Sequence, residues 1–142
     1  MHMIRGPGSP VRHDVRRVQL YVDRFTLAKR RWRATAEDGV EFGFDLDSPL
    51  RNGICFFQDG ALDYCIHQTS EPVLSVALLS IFQSAKIAWN IGNLHFPLSL
   101  SDGYILVEDD PALRQLFERE RIMFEKKTAI FQPLQGAQSH KH

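Results

Sequence analysis

Three histidines carry the clearest chemical signal in this sequence: His95, which closes Gly92-Asn93-Leu94-His95, and His140 and His142 in the terminal Ser139-His140-Lys141-His142. Imidazole is the commonest protein ligand for transition metals, so these positions read as metal ligands. One imidazole is a poor site by itself. A twofold axis beside His95 would turn one ring into two, because every contact at such an axis is duplicated. A tail carrying two more imidazoles could close over the same point, at an entropy cost that grows only slowly with its length. The competing readings are a helix-exit histidine bonded to nearby backbone and an ordinary chain end.

Other clusters have simpler explanations. Asp63, Cys65 and His67 share one face of a strand and could chelate, but a solvent-facing strand edge gives the same letters. Glu108-Asp109-Asp110 resembles a hard-cation or acid/base cluster, yet carboxylates are also favoured at the positive end of a helix that starts there. Arg24 and Lys29-Arg30-Arg31-Trp32-Arg33 form the one basic concentration, a candidate partner-contact surface if it is not simply the solvated face of a strand with Trp32 turned inward. There is no Gly-rich phosphate loop, nucleophile elbow or Ser/His/Asp arrangement. No enzyme is expected.

His95 must be positioned by a helix and a strand. Leu78, Leu79, Ile81, Phe82, Ala85, Ala88, Trp89 and Ile91 recur at helical spacing and predict one buried face. Gly92 is expected to take the left-handed conformation after the helix, with Asn93 completing a loop in which any other residue would misplace the imidazole. Phe96 to Leu100 then reads as a strand, with Pro97 barring further helix. Pro72 to Ala77, Tyr104 to Val107 and Thr128 to Phe131 read as strands too. Asp110-Pro111 marks a second helix start, with an acidic cap and proline at the first helical position. The order is βαββαβ, a ferredoxin-like plan.

Before Gln68 the pattern is period two. Trp32 and Ala34 face Val40, Phe42, Phe44 and Leu46 across Asp38-Gly39, a hairpin whose two turn residues should both have positive φ. Ile54 to Phe57 and Leu62 to Ile66 form a second hairpin, and Val18, Leu20 and Val22 an earlier strand. The fold class is therefore α+β: a flexible lead-in over 1–14, a small all-β domain over 15–69 suited to protein contacts, a ferredoxin-like metal-binding and dimerisation domain over 70–134, and a flexible His-containing tail over 135–142. Domains this small are marginal alone, so docking or dimerisation would help.

Across all 142 residues the formal net charge is zero. No global field therefore recruits nucleic acid or an anionic membrane surface. No apolar run approaches the ~20 residues of a membrane span, and the start has no signal-peptide core. A cytoplasmic location follows as the default. Cys55 and Cys65, without a CxxC pairing, are expected to be reduced structural thiols.

Between Asp23 and Ala137 several fragments occur in one characteristic order: Arg30-Arg31-Trp32-Arg33, Asp38-Gly39-Val40-Glu41-Phe42-Gly43, Glu71-Pro72-Val73-Leu74, Ala88-Trp89-Asn90-Ile91-Gly92-Asn93-Leu94-His95, and Phe131-Gln132-Pro133 with Gly136-Ala137. Together they resemble the urease accessory proteins of the UreE family. The resemblance implies a nickel metallochaperone that carries Ni²⁺ to the urease assembly complex with the UreG GTPase. It also implies a homodimer in which His95 of both chains meets at the axis, joined by His140 and His142. Zn²⁺ and Cu²⁺ would compete at such a site. Where many relatives carry Tyr-His, this chain has Trp89-Asn90, so one further imidazole is missing; with a short tail, a single shared ion per dimer is expected. The rival is a protein- or RNA-binding module without metal function that dimerises through the ferredoxin-like half.

Overall fold

The structure, a computed structural model, describes residues 1–135, so His140 and His142 lie outside it. The chain divides after Thr69 into two units.

The first unit contains β1 (His2–Ile4), β2 (Arg16–Val22), a single-turn α1 (Arg24–Leu27), β3 (Arg31–Thr35), β4 (Glu41–Asp45), β5 (Cys55–Asp59) and β6 (Leu62–Gln68). They form two three-stranded sheets, ordered β1-β4-β3 and β2-β6-β5. The inward members of both alternating patterns share one core: Val18, Leu20, Val22, Trp32, Phe42, Phe44, Tyr64 and Ile66. Trp32 stacks on Phe44 with ring centres 3.8 Å apart, while Arg31 and Arg33 on either side face solvent. Strand alternation is what turns these two arginines outward.

Three expectations change in this unit. The lead-in is not free: β1 pairs in parallel with β4, and Ser9 bridges Cys55 through two backbone hydrogen bonds of 2.7 and 3.0 Å. Such pairing between distant segments leaves no local periodicity to read. The β3–β4 turn is longer than two residues. Only Gly39 takes a positive φ, at 91°, while the Asp38 carboxylate accepts from Val40 N–H and from the Tyr64 hydroxyl. The cysteines, expected as free thiols, are joined to each other. A bulge between Cys55 and Phe57 shifts the β5–β6 register so that Cys55 stands opposite Cys65.

The second unit contains β7 (Glu71–Ala77), α2 (Ile81–Asn93), β8 (Ser99–Ser101), β9 (Tyr104–Glu108), α3 (Pro111–Arg119) and β10 (Glu125–Ala129). Its antiparallel sheet is ordered β10-β7-β9-β8, the split βαβ arrangement of a ferredoxin-like fold. Leu74, Val76, Ile105 and Val107 from the sheet meet Ile87 and Ile91 of α2 and Leu113, Leu116 and Phe117 of α3. Asp110 caps α3 by accepting from Ala112 N–H at 2.8 Å, and Asp109 pairs with Arg114 at 2.6 Å. The acidic run is thereby consumed as a helix start.

After β10 the chain crosses from one edge of this sheet to the other. Leu134 N–H donates to the carbonyl of Leu98, just before β8, at 2.8 Å. Phe131, within the crossing, is fully buried.

Candidate metal centre

His95 occupies the residue after the cap of α2 and takes a left-handed backbone, as Arg121 does in the same place after α3. Helix α2 does not stop at Gly92: it continues through Asn93, with Leu94 as cap, and His95 itself takes the left-handed turn at φ 62°. Its N–H donates to Gly92 O at 2.9 Å, and Phe96 N–H reaches back to Ile91 O at 3.4 Å. These two bonds are the paired closure of a Schellman motif, in which glycine is the usual left-handed residue. Phe96 and Ile91 belong to the same apolar cluster, which supplies the hydrophobic contact that accompanies this motif. A histidine is thus held where the backbone favours glycine. Non-glycine residues held in the left-handed region cost on the order of 1 kcal/mol or more and gather at functional sites.

The expectation for Gly92 and Asn93 is corrected accordingly. Gly92 is helical, and a Cβ built on it would meet nothing within 4 Å. Nothing in the chain itself requires a glycine there. The 92–93 pair extends the helix, and His95 makes the turn.

The His95 imidazole is exposed and makes no hydrogen bond with a described residue. The backbone-bonded reading therefore does not describe it. Nor is a second ligand beside it in one chain: the described residues contain no group of three or more His, Cys, Asp or Glu able to hold a metal ion. The strand trio is otherwise engaged. Asp63 is buried and receives the Arg12 guanidinium, Cys65 is bonded to Cys55, and the His67 ring lies 5.0 Å from that of Tyr21. The Arg12 hydrogen bonds hold the Asp63 carboxyl below the usual carboxylate range.

Beside His95 the helix face also departs from expectation. Only Ile87 and Ile91 of α2 are buried; Ile81, Phe82 and Trp89 are 90%, 82% and 66% exposed. Phe82, Ala85, Trp89 and Gly92 follow one another at three- and four-residue steps, making an apolar stripe that runs to the His95 corner. Sequence periodicity found the apolar helix but assigned much of its surface to the wrong side, because both sides carry apolar residues.

Among known families, residues 71–142 match the model for the UreE urease accessory protein, C-terminal domain. The chain belongs to the UreE family. It is 30% identical to the urease accessory protein UreE of Bacillus cereus over 119 residues, 82% of this chain and 78% of that protein. The Burkholderia lata UreE is 34% identical over 119 residues, covering 80% of this chain but 57% of its own length. The UreE of Chelativorans sp. is 27% identical over 143 residues, 99% of this chain and 90% of that protein. UreE proteins are accessory proteins rather than enzymes. No helix among the described residues is long and apolar enough to cross a membrane.

Proposed function

We propose that this UreE protein is a cytoplasmic nickel metallochaperone that holds one Ni²⁺ between two copies of the chain and surrenders it, with the UreG GTPase, to the urease assembly complex. The observation that carries the reading is His95, an exposed imidazole on a strained, doubly hydrogen-bonded corner beside an uncovered apolar helix face. Contiguous exposed apolar surface of this kind marks an association surface. Gly92 supports the same view: a glycine in the last turn of a helix costs up to about 1 kcal/mol relative to alanine, and its own chain leaves room for a side chain. Close approach of a second α2 would use that room and bring the two His95 rings toward one axis.

Chain geometry also lets the tail contribute. Leu134 is hydrogen-bonded beside Leu98, three residues beyond His95, a separation of at most about 11 Å along the chain. Six residues from Leu134 to His140 span up to roughly 20 Å, so His140 and His142 can reach the corner of their own chain.

An all-imidazole set suits a carrier. The rings must be neutral to bind, so affinity falls in acid, and a micromolar site, about −8 kcal/mol, is strong enough to capture and weak enough to release. Cu²⁺ would bind more tightly and Zn²⁺ would compete, leaving selection to delivery and partner choice. Arg24, Lys29, Arg30, Arg31 and Arg33 of the β unit are the proposed partner-contact residues. Titration of Ni²⁺ into wild type and His95→Gly tests the reading: the variant should lose the high-affinity site. Unchanged affinity and stoichiometry would reject His95 as the central ligand.

A further inference from the structure

The bonded cysteine pair lies in the β unit, on different residues from the proposed nickel ligands, and it adjoins the N-terminal segment. Cys55 and Cys65 are both about 2% exposed. Cys55 exchanges two backbone hydrogen bonds with Ser9, and Cys65 lies two residues beyond Asp63, the carboxylate held by Arg12. Residues 2 to 12 thus cross the first unit as a strap with four attachments: β1 on β4, Arg5 on Asp45, Ser9 on Cys55, and Arg12 on Asp63. The strap lies close, since a Cβ on Gly8 would meet the Ile54 side chain at 2.5 Å and the Cys55 carbonyl at 3.2 Å.

We propose that Cys55 and Cys65 form a reversible redox switch whose disulfide secures this strap and whose reduction loosens it. Exchange with a small-molecule disulfide balances the step. One cysteine thiolate attacks a sulfur of that disulfide and expels the first small thiolate; the other cysteine then attacks the mixed disulfide and expels the second. The protein loses two electrons and two protons, and the small disulfide becomes two thiols. In the reverse direction, the freed sulfurs must separate to van der Waals contact, which disturbs the Cys55↔Cys65 position of the ladder. Cys55 holds Ser9 at that position, so the disturbance passes directly to the strap. A loosened strap also opens the buried sulfurs to solvent more often and so speeds exchange.

The test uses the full chain in buffers of reduced and oxidised glutathione, with amide hydrogen exchange read at Ser9 and Cys55. Oxidised protein is expected to resist alkylation and to protect both amides; reduction should accelerate their exchange by about tenfold or more. The double variant Cys55→Ser with Cys65→Ser should exchange at one rate in both buffers. Gly8→Ala, which leaves both cysteines intact, should speed reduction by dithiothreitol by about tenfold. Alkylation of both thiols in oxidised buffer, equal exchange in the two wild-type states, or an unchanged reduction rate in Gly8→Ala would each overturn the switch.

Discussion

Replacing His95 by glycine separates what its backbone costs from what its side chain does. At φ 62° a non-glycine residue is disfavoured by about 1–2 kcal/mol, and the two Schellman hydrogen bonds hold it there regardless of side chain. Glycine removes that cost but adds about 0.4–1 kcal/mol of unfolded-chain entropy, so metal-free His95→Gly should equal or exceed wild type by up to about 1.6 kcal/mol. His95→Ala keeps the left-handed strain and should be about 1 kcal/mol less stable than His95→Gly. In a unit of this size that gap corresponds to roughly 4–8 °C in Tm. Urea unfolding of the metal-free proteins, with amide exchange at Ile87 and Ile91 reporting the second unit, measures it. Both variants should lose nickel affinity alike, by about tenfold or more. A glycine variant less stable than the alanine variant would refute the backbone argument, and nickel binding retained in both would refute the ligand assignment.

Further outcomes follow from other positions. Gly92→Ala should leave the fold of the monomer intact or stabilise α2 by about 1 kcal/mol, yet weaken self-association, as sedimentation would show. Trp89→Lys should leave the metal-free chain folded but, under the proposed pairing of two α2 helices, self-associating more weakly than wild type in sedimentation. Asp63 is lowered by Arg12, so its contribution is present above the ordinary carboxylate range and disappears as pH falls through its folded value; Arg12→Gln should therefore destabilise at neutral pH and converge on wild type in acid denaturation. The Asp38 acceptor pushes the Tyr64 hydroxyl up to about 12, which stabilises the fold below pH ~10 and ceases to do so as pH passes about 12. Ultraviolet titration of Asp38→Asn should show that tyrosine ionising nearer its ordinary value.

What could be read from residue order was mostly local. Asp38-Gly39 between alternating runs marked the β3–β4 hairpin, and Asp110-Pro111 marked the start of α3. The ferredoxin-like order followed from the change of period after Gln68. The pairing of β1 with β4 was hidden because its partners are forty residues apart and parallel. The Cys55–Cys65 bond depended on one bulged residue, which no spacing rule supplies. At the candidate site, His95 was legible as chemistry but not as geometry. Gly92 was the obvious left-handed residue, yet packing of Ile91 and Phe96 carried the helix further and passed that conformation to His95. Likewise Phe82 and Trp89 looked like core, because hydrophobicity alone does not distinguish a buried face from an exposed apolar one.

Native mass spectrometry of the nickel-loaded full chain, beside His95→Gly at the same concentration, bears most directly on the central claim. The account predicts one Ni²⁺ per two wild-type chains and an unloaded dimer for the variant. One ion on each monomer, undiminished in the variant, would contradict it.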